Sequence, residues 1–263
     1  MHFTKYNGLG NDFIFLDGET ALGVKDPAML ARMLCNRYTG IGADGLILLL
    51  PSKVADVRMR IINSDGSEAE MCGNASRCVP LHWLKNGFSS KKEIMLETLA
   101  GLIQTEVLDE QKGLVRVNMG IPRDVVNPFA VELAAQTWAG TKVSMGNPHF
   151  VVIVNSVEKF PVAHMGPLFE THPLFPHKTN VEFVQVLDKA HVRMRVWERG
   201  AGITRACGTG ACASAVACIL RGLTEKQLMV KLDGGELQIS WPEQRDIFMT
   251  GPAQKVFEGD ITL

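Results

Sequence analysis

Two cysteines sit where their chemistry can be used. Cys207 lies within ERGAGITRACGTGACASA (198–215), and Cys72 within NSDGSEAEMCGNASRC (63–78). Each follows a polar, glycine-containing approach and precedes a run of small residues that predicts a helix. A cysteine at a helix N-terminus meets unpaired backbone N–H groups and the positive end of the helix dipole. Both favour thiolate, so the position predicts a lowered pKa and a usable base. The same N–H groups can hold a carboxylate. Gly73, Gly208 and Gly210 would let a ligand approach that backbone closely. Two such thiols on opposite faces of one carbon would invert its configuration. One takes the α-proton as base, and the other returns a proton from the far side. Donors around the carboxylate would stabilise the enediolate charge that develops. The scheme calls for no cofactor.

A lone free cysteine is more often a small core residue. Repetition argues for use. ADVRMRIIN (55–63) is echoed by AHVRMRVWE (190–198), 135 residues on, and Cys72-Gly73 and Cys207-Gly208 keep that spacing. Asn11 in GNDF and Asn147 in GNPHF lie 136 residues apart. IMLETLAGLIQ (94–104) and LMVKLDGGELQ (228–238) lie 134 apart, and NMGIP (118–122) resembles MTGP (249–252). So steady an offset implies two copies of a unit of about 120–135 residues. By contrast Cys35, Cys78, Cys212 and Cys218 fall in apolar helical runs and are expected in the core.

The elements that must position the thiols follow from pattern. NDFIFLD (11–17), DGLILLL (44–50) and the alternating VRMRII predict strands. A helix is expected from Gly73 to about Lys85, stopped by Asn86-Gly87, and its counterpart from about Thr209 to Arg221, stopped by Gly222. EIMLETL, GLIQTEV and GLVRVNM predict further short strands, and PAMLARMLCNRY (27–38) an extra helix. The Pro- and His-rich segment 157–179 predicts a looser connection or short helices. The expected domains are residues 1–121, rejoined by 253–263, and residues 122–252.

Bulk properties narrow the class. The chain has 263 residues, 46% hydrophobic and 21% charged, with net charge −1. That balance predicts a globular protein and gives no electrostatic case for nucleic acid or an anionic membrane as partner. No apolar run approaches the roughly 18 residues of a membrane helix. MHFTKYNGLGNDF has no apolar signal region. Reduced thiols and a cytoplasmic location are the expectation. There is no C-x-x-C pair, and the seven histidines are scattered, so no metal site is expected. No complete dinucleotide or P-loop motif is present either.

GLGNDF, NSDGSEAEMCGNASRC, SMGNPHF, TNVEF and ERGAGITRACGTGACA together resemble the diaminopimelate epimerase family of cofactor-independent amino-acid epimerases, over the whole length of the chain. The resemblance implies an α/β (α+β) fold of two pseudo-symmetric halves. Each half would be a strand-rich, barrel-like unit wrapped around a central helix, with the active site in the cleft between them. It implies Cys72 and Cys207 as acid and base, with Gly73, Asn74, Gly208 and Thr209 binding the reacting carboxylate. Asn11, Asn63, Asn147, Asn180, Glu198 and Arg199 would line the rest of the site. The chemistry agrees: Arg199 suits a distal carboxylate, Glu198 a distal ammonium, and the asparagines add uncharged donors and acceptors. Taken alone, Asn11, Asn63 and Asn147 could be turn residues, and Glu198-Arg199 a surface pair. Asn63 and Glu198 each stand nine residues before their cysteine yet differ in type, as a two-ended substrate would require. His149 is expected in a supporting role. The resemblance further implies diaminopimelate as substrate, no cofactor and a homodimer. Two departures stand out. Ala75 replaces a second glycine after CGN, and Gly45 stands where some members have Gln. A racemase of lanthionine or histidine, or a non-catalytic amino-acid-binding relative, remain the alternatives.

Overall fold

The computed structural model describes residues 1–133, 135–243 and 245–262. The chain divides into two compact units, Met1–Val117 with Gly251–Leu263, and Asn118–Thr250.

In the first unit β1 (His2–Gly8) and β2 (Asn11–Leu16) form a hairpin. Leu9 and Gly10 join them with φ of 62° and 86°, the left-handed pair that a two-residue turn demands. This turn delivers Asn11 to the start of β2. Helices α1 (Gly18–Leu22) and α2 (Pro27–Leu34) follow, then β3 (Gly45–Leu50), β4 (Val57–Asn63), β5 (Glu68–Ala69) and α3 (Gly73–Lys85). Strands β6 (Glu93–Thr98), β7 (Gly101–Asp109) and β8 (Leu114–Asn118) come next. Strand β3 runs parallel to β2, with Phe13 beside Gly45, and β4 runs parallel to β6. The alternation in β4 is that of a half-buried strand: Val57, Met59 and Ile61 are buried, Arg58 and Arg60 only partly. Helices α1 and α2 cover the sheet through Ala21, Leu30 and Leu34 against Ile14, Leu16, Leu46 and Leu48.

The second unit contains β9 (Arg123–Leu133), β10 (Gln136–Ser144), β11 (Pro148–Ile153), α4 (Val162–Glu170), β12 (Asn180–Val186), β13 (His191–Glu198) and β14 (Gly202–Ile203). Helix α5 (Gly208–Leu220) and strands β15 (Gln227–Leu232), β16 (Gly235–Ser240) and β17 (Phe248–Pro252) follow. The final strand, β18 (Gln254–Asp260), returns to the first unit and pairs antiparallel with β1. Parallel steps fall between β11 and β12 and between β13 and β15, at the places matching β2–β3 and β4–β6. Segment 157–179 supplies α4, which packs Val162, Met165 and Phe169 against Phe150, Val181 and Phe183.

Each unit thus wraps strands around one helix. Helix α3 packs on β1, β6, β7 and β18, and α5 on β10 to β13, β15 and β16. Residues Gly73 to His82 of α3 are all buried, as are nearly all from Gly208 to Cys218 of α5. A helix covered on every side needs small or apolar residues all round. The Ala, Cys, Gly and Ser of GTGACASAVAC meet that need. In α3 the largest departure is Arg77, fully buried, whose guanidinium donates to Asn74 Oδ1 and to the Pro252 carbonyl, each at 3.1 Å. Among the described residues no helix is long and apolar enough to cross a membrane.

Candidate active site

Cys72 is the N-cap of α3, in extended conformation (φ −141°, ψ 115°), with Gly73 and Asn74 as the first helical residues. It is half-buried. Its Sγ lies 3.8 Å from Asn11 Oδ1, and that oxygen also accepts from Asn74 Nδ2 at 3.1 Å. The Asn11 amide donates to Asp44 Oδ2 at 2.7 Å. Arg37 bonds both Asp44 and Asp12, at 2.8 Å and 2.7 Å, and Lys5 pairs with Asp12 at 2.8 Å. Burial opposes the Asp12 charge, but the hydrogen bonds and charges of Arg37 and Lys5 outweigh it and hold the carboxyl down at about 2. Asn63 ends β4 on the exposed side, its amide donating to Ser67 Oγ at 2.9 Å.

Cys207 is the N-cap of α5 in the same conformation (φ −126°, ψ 109°), followed by Gly208 and Thr209. It is buried. Its Sγ accepts from the Gly210 N–H at 3.4 Å and lies 3.5 Å from Thr209 Oγ1. Thr209 Oγ1 accepts from Asn147 Nδ2 at 3.4 Å, and Asn147 Oδ1 meets His149 Nε2 at 2.9 Å. Behind His149 stands Glu182, with Nδ1 to Oε1 at 2.7 Å and both side chains fully buried. Glu198 closes β13, is bonded by the Thr204 hydroxyl, and also hydrogen-bonds Cys207. Asn180 anchors the turn beyond it: its Nδ2 donates to the Pro148 carbonyl at 2.8 Å, and its Oδ1 accepts from Arg199 N at 2.9 Å. The Arg199 guanidinium is exposed and donates to the His177 carbonyl at 3.2 Å.

A helix terminus predicts a lowered pKa for Cys207, yet its thiol is pushed well up. Burial is the main cause, followed by the carboxylates of Glu198 and Glu182. The hydrogen bonds from Thr209 and Gly210 pull the other way but do not win. Glu198 is likewise raised above the ordinary carboxylate range. Burial again comes first and Glu182 adds to it, against the hydrogen bonds of Thr204 and Cys207. In this half, desolvation and two acids therefore outweigh the helix dipole.

Comparison with known proteins fits this arrangement. The family model described as diaminopimelate epimerase matches residues 3–125 and 141–256. This chain belongs to that family. The diaminopimelate epimerase of Moorella thermoacetica is 50% identical over 279 aligned positions, covering 100% of both chains. Two solved structures share the fold at low identity. A phenazine biosynthesis protein of the PhzF family from Bacillus anthracis has TM-score 0.77 at 17% identity, covering 100% of this chain and 99% of its own. A probable proline racemase from Agrobacterium radiobacter has TM-score 0.74 at 18% identity, covering 100% and 93%. The fold class of the diaminopimelate epimerase family, mixed α/β with two similar halves, is the one seen here.

Within the first unit the structure brings Cys72, Asn74 and Asn11 into one hydrogen-bonded group. Within the second it gathers Cys207, Thr209, Asn147 and Glu198. Asn180 and Arg199 meet each other, while Asn63 bonds only within its own turn among the contacts seen. Two acids that support these groups, Asp44 and Glu182, escaped the motif reading. Glu182 left one signal: a charge flanked by Val181 and Phe183 in the middle of a buried-type strand, NVEFV.

Proposed function

We propose that this chain interconverts LL- and meso-2,6-diaminopimelate by moving a proton at one α-carbon between two cysteines. Inversion needs a base on one face of the carbon and an acid on the other, and the proposal gives these roles to Cys72 and Cys207. One thiolate removes the α-proton. The carbanion charge spreads into the carboxylate, and the other thiol delivers its proton to the opposite face. The first-turn residues Gly73, Asn74, Gly208 and Thr209 bind the reacting carboxylate, where N–H donors stabilise the developing charge. Asn11, Asn63, Asn147, Asn180, Glu198 and Arg199 hold the rest of the substrate, with Arg199 on the distal carboxylate and Glu198 on the distal ammonium. No cofactor takes part. The product serves lysine and peptidoglycan precursor synthesis, and the enzyme works as a cytoplasmic homodimer without nucleic-acid or membrane partners.

One observation carries this reading: in this member of the family, each unit places a cysteine at the N-cap of a buried helix whose first residue is glycine. Incubation with LL-diaminopimelate in heavy water tests it. The expected result is the meso isomer with deuterium at the α-carbon and no added cofactor. Exchange of lanthionine or histidine, with none of diaminopimelate, would move the assignment to another amino acid.

A further inference from the structure

Asn11 opens β2 and Asn147 immediately precedes β11, 136 residues on, yet their amides point opposite ways. Asn11 donates Nδ2 to Asp44 at 2.7 Å. A carboxylate can only accept, so the amide carbonyl is left to face Asn74 and the Cys72 sulfur. Asn147 instead turns its Nδ2 to Thr209 and its carbonyl to His149 Nε2. Having accepted that hydrogen bond, the Thr209 hydroxyl can donate to the Cys207 sulfur at 3.5 Å. The orientation of Asn147 depends on what His149 presents. Its Nδ1 faces Glu182, whose second oxygen is buried with no hydrogen-bond partner. Glu198 and Cys207 face the same pair. A buried carboxylate calls for a hydrogen-bonded partner, and the ring's Nδ1 meets it. Nε2 stands 2.9 Å from the Asn147 carbonyl, and a proton there fixes that carbonyl toward the ring.

We propose that Asp44 and the Glu182–His149 pair are positioning residues that set opposite amide polarity beside the two cysteines, a carbonyl toward Cys72 and, through Thr209, a hydroxyl hydrogen toward Cys207. An acid takes the amide directly in one half. In the other, one interposed histidine reverses it. The inference rests on the proposed function, since unlike surroundings suit one thiol that gives a proton and one that takes it.

Alkylation by iodoacetamide at one fixed pH, without substrate and with each cysteine followed by peptide mass spectrometry, tests the polarity. In Asp44→Asn the Asn11 amide is free to turn its NH2 to Cys72, and Cys72 should react about fivefold faster, the factor one hydrogen bond is worth. Thr209→Val keeps every carboxylate but removes the hydroxyl hydrogen offered to Cys207, so Cys207 should react about fivefold more slowly. Arg37→Gln keeps the Asp44 carboxylate but loosens the loop, and should leave the Cys72 rate within about twofold. Rates that rise together in all variants would mean mere loosening and would overturn the proposal, as would rates that do not move. The native protein gives a second readout that no folding defect can obscure. With 15N-labelled histidine, assigned by comparison with His149→Gln, the His149 Nε2 should carry a proton. A bare acceptor nitrogen there would overturn the second-half relay. Neither measurement uses diaminopimelate, so each can fail while epimerase activity stands, and each can succeed if the substrate proves to be another amino acid.

Discussion

The same pair of strand positions carries apolar residues in one half and a buried histidine–glutamate hydrogen bond in the other. Phe13 lies beside Gly45 in the parallel step of the first half, with Ile47 two residues further along. His149 lies beside Asn180 in the second, with Glu182 two residues further along. All four side chains are buried. Duplication kept the backbone and changed the chemistry. Buried Phe and Ile side chains stabilise by removing apolar area from water. A buried polar pair at the same place must first offset the desolvation of its polar groups. The first half demonstrates that the fold does not need the polar pair. Its place beside Asn147 and Cys207 points instead to the site. A neighbouring pair makes the same point. Ala75 stands in the first turn of α3 where α5 has Gly210, and a Cβ on Gly210 would lie 2.7 Å from Glu182 Oε1 and 3.2 Å from Cys207 Sγ.

The largest effect should come from the feature the halves share. Cys72→Ala and Cys207→Ala should each lower epimerisation by about 10²–10⁴-fold, the range for losing a positioned acid or base. Full activity in either variant, followed as meso isomer formed, would make the halves chemically unequal and end the two-base reading. The next effect comes from the feature they do not share. Glu182→Ile or His149→Phe alone should cost about 3–5 kcal/mol in urea unfolding, because each strands a buried polar partner. The double variant copies the first half and should recover most of that stability while activity stays low. Singles as stable as the double would show that the pair is not an interacting unit.

What the sequence makes legible here is what is local. The two central helices start and stop at glycine and asparagine punctuation, so Gly73–Lys85 and Gly208–Leu220 follow closely from the residues. The cysteines were visible because each stands at such a boundary, and the repeat made them a pair. Helix α2 ends at Leu34, short of Tyr38, because Asn36 instead caps a turn through the N–H groups of Tyr38 and Thr39. The charge environment was not legible. The helix terminus predicts an acidified Cys207, but burial and then the carboxylates of Glu198 and Glu182 oppose it; Glu182 arrives on a strand 25 residues upstream, and its burial depends on parallel pairing with β11. A long-range register of that kind leaves no mark within either segment.

Gly210→Ala should give a smaller loss, about 1–3 kcal/mol for overpacking beside a fixed carboxylate. The reverse change in the other half, Ala75→Gly, should cost only about 0.5–1 kcal/mol, the backbone entropy of glycine in a helix. The two halves then differ for a stated reason, and the reason can be checked. In the His149→Phe/Glu182→Ile background the carboxylate is gone, so Gly210→Ala should cost less than in the native protein. An equal cost in both backgrounds would break the link between Gly210 and Glu182.

The smallest effect concerns the acid limb of stability, and it belongs to the first half alone in one respect: where the second half has Pro148, the first has Asp12. Asp12 is held at about 2 by Arg37 and Lys5, against the opposing effect of burial, while an unfolded aspartate titrates near 3.9. A depressed folded-state pKa contributes stability above the unfolded value and loses it as pH falls through the folded one. The contribution is therefore present above about pH 4 and should drain away toward pH 2. Arg37→Gln removes one of the two cations and should shift the Asp12 pKa upward, so that unfolding midpoints in urea depend less on pH within that window. An unchanged pH slope in Arg37→Gln would show that Lys5 alone holds the carboxylate. That would confine the clamp to β1 and β2.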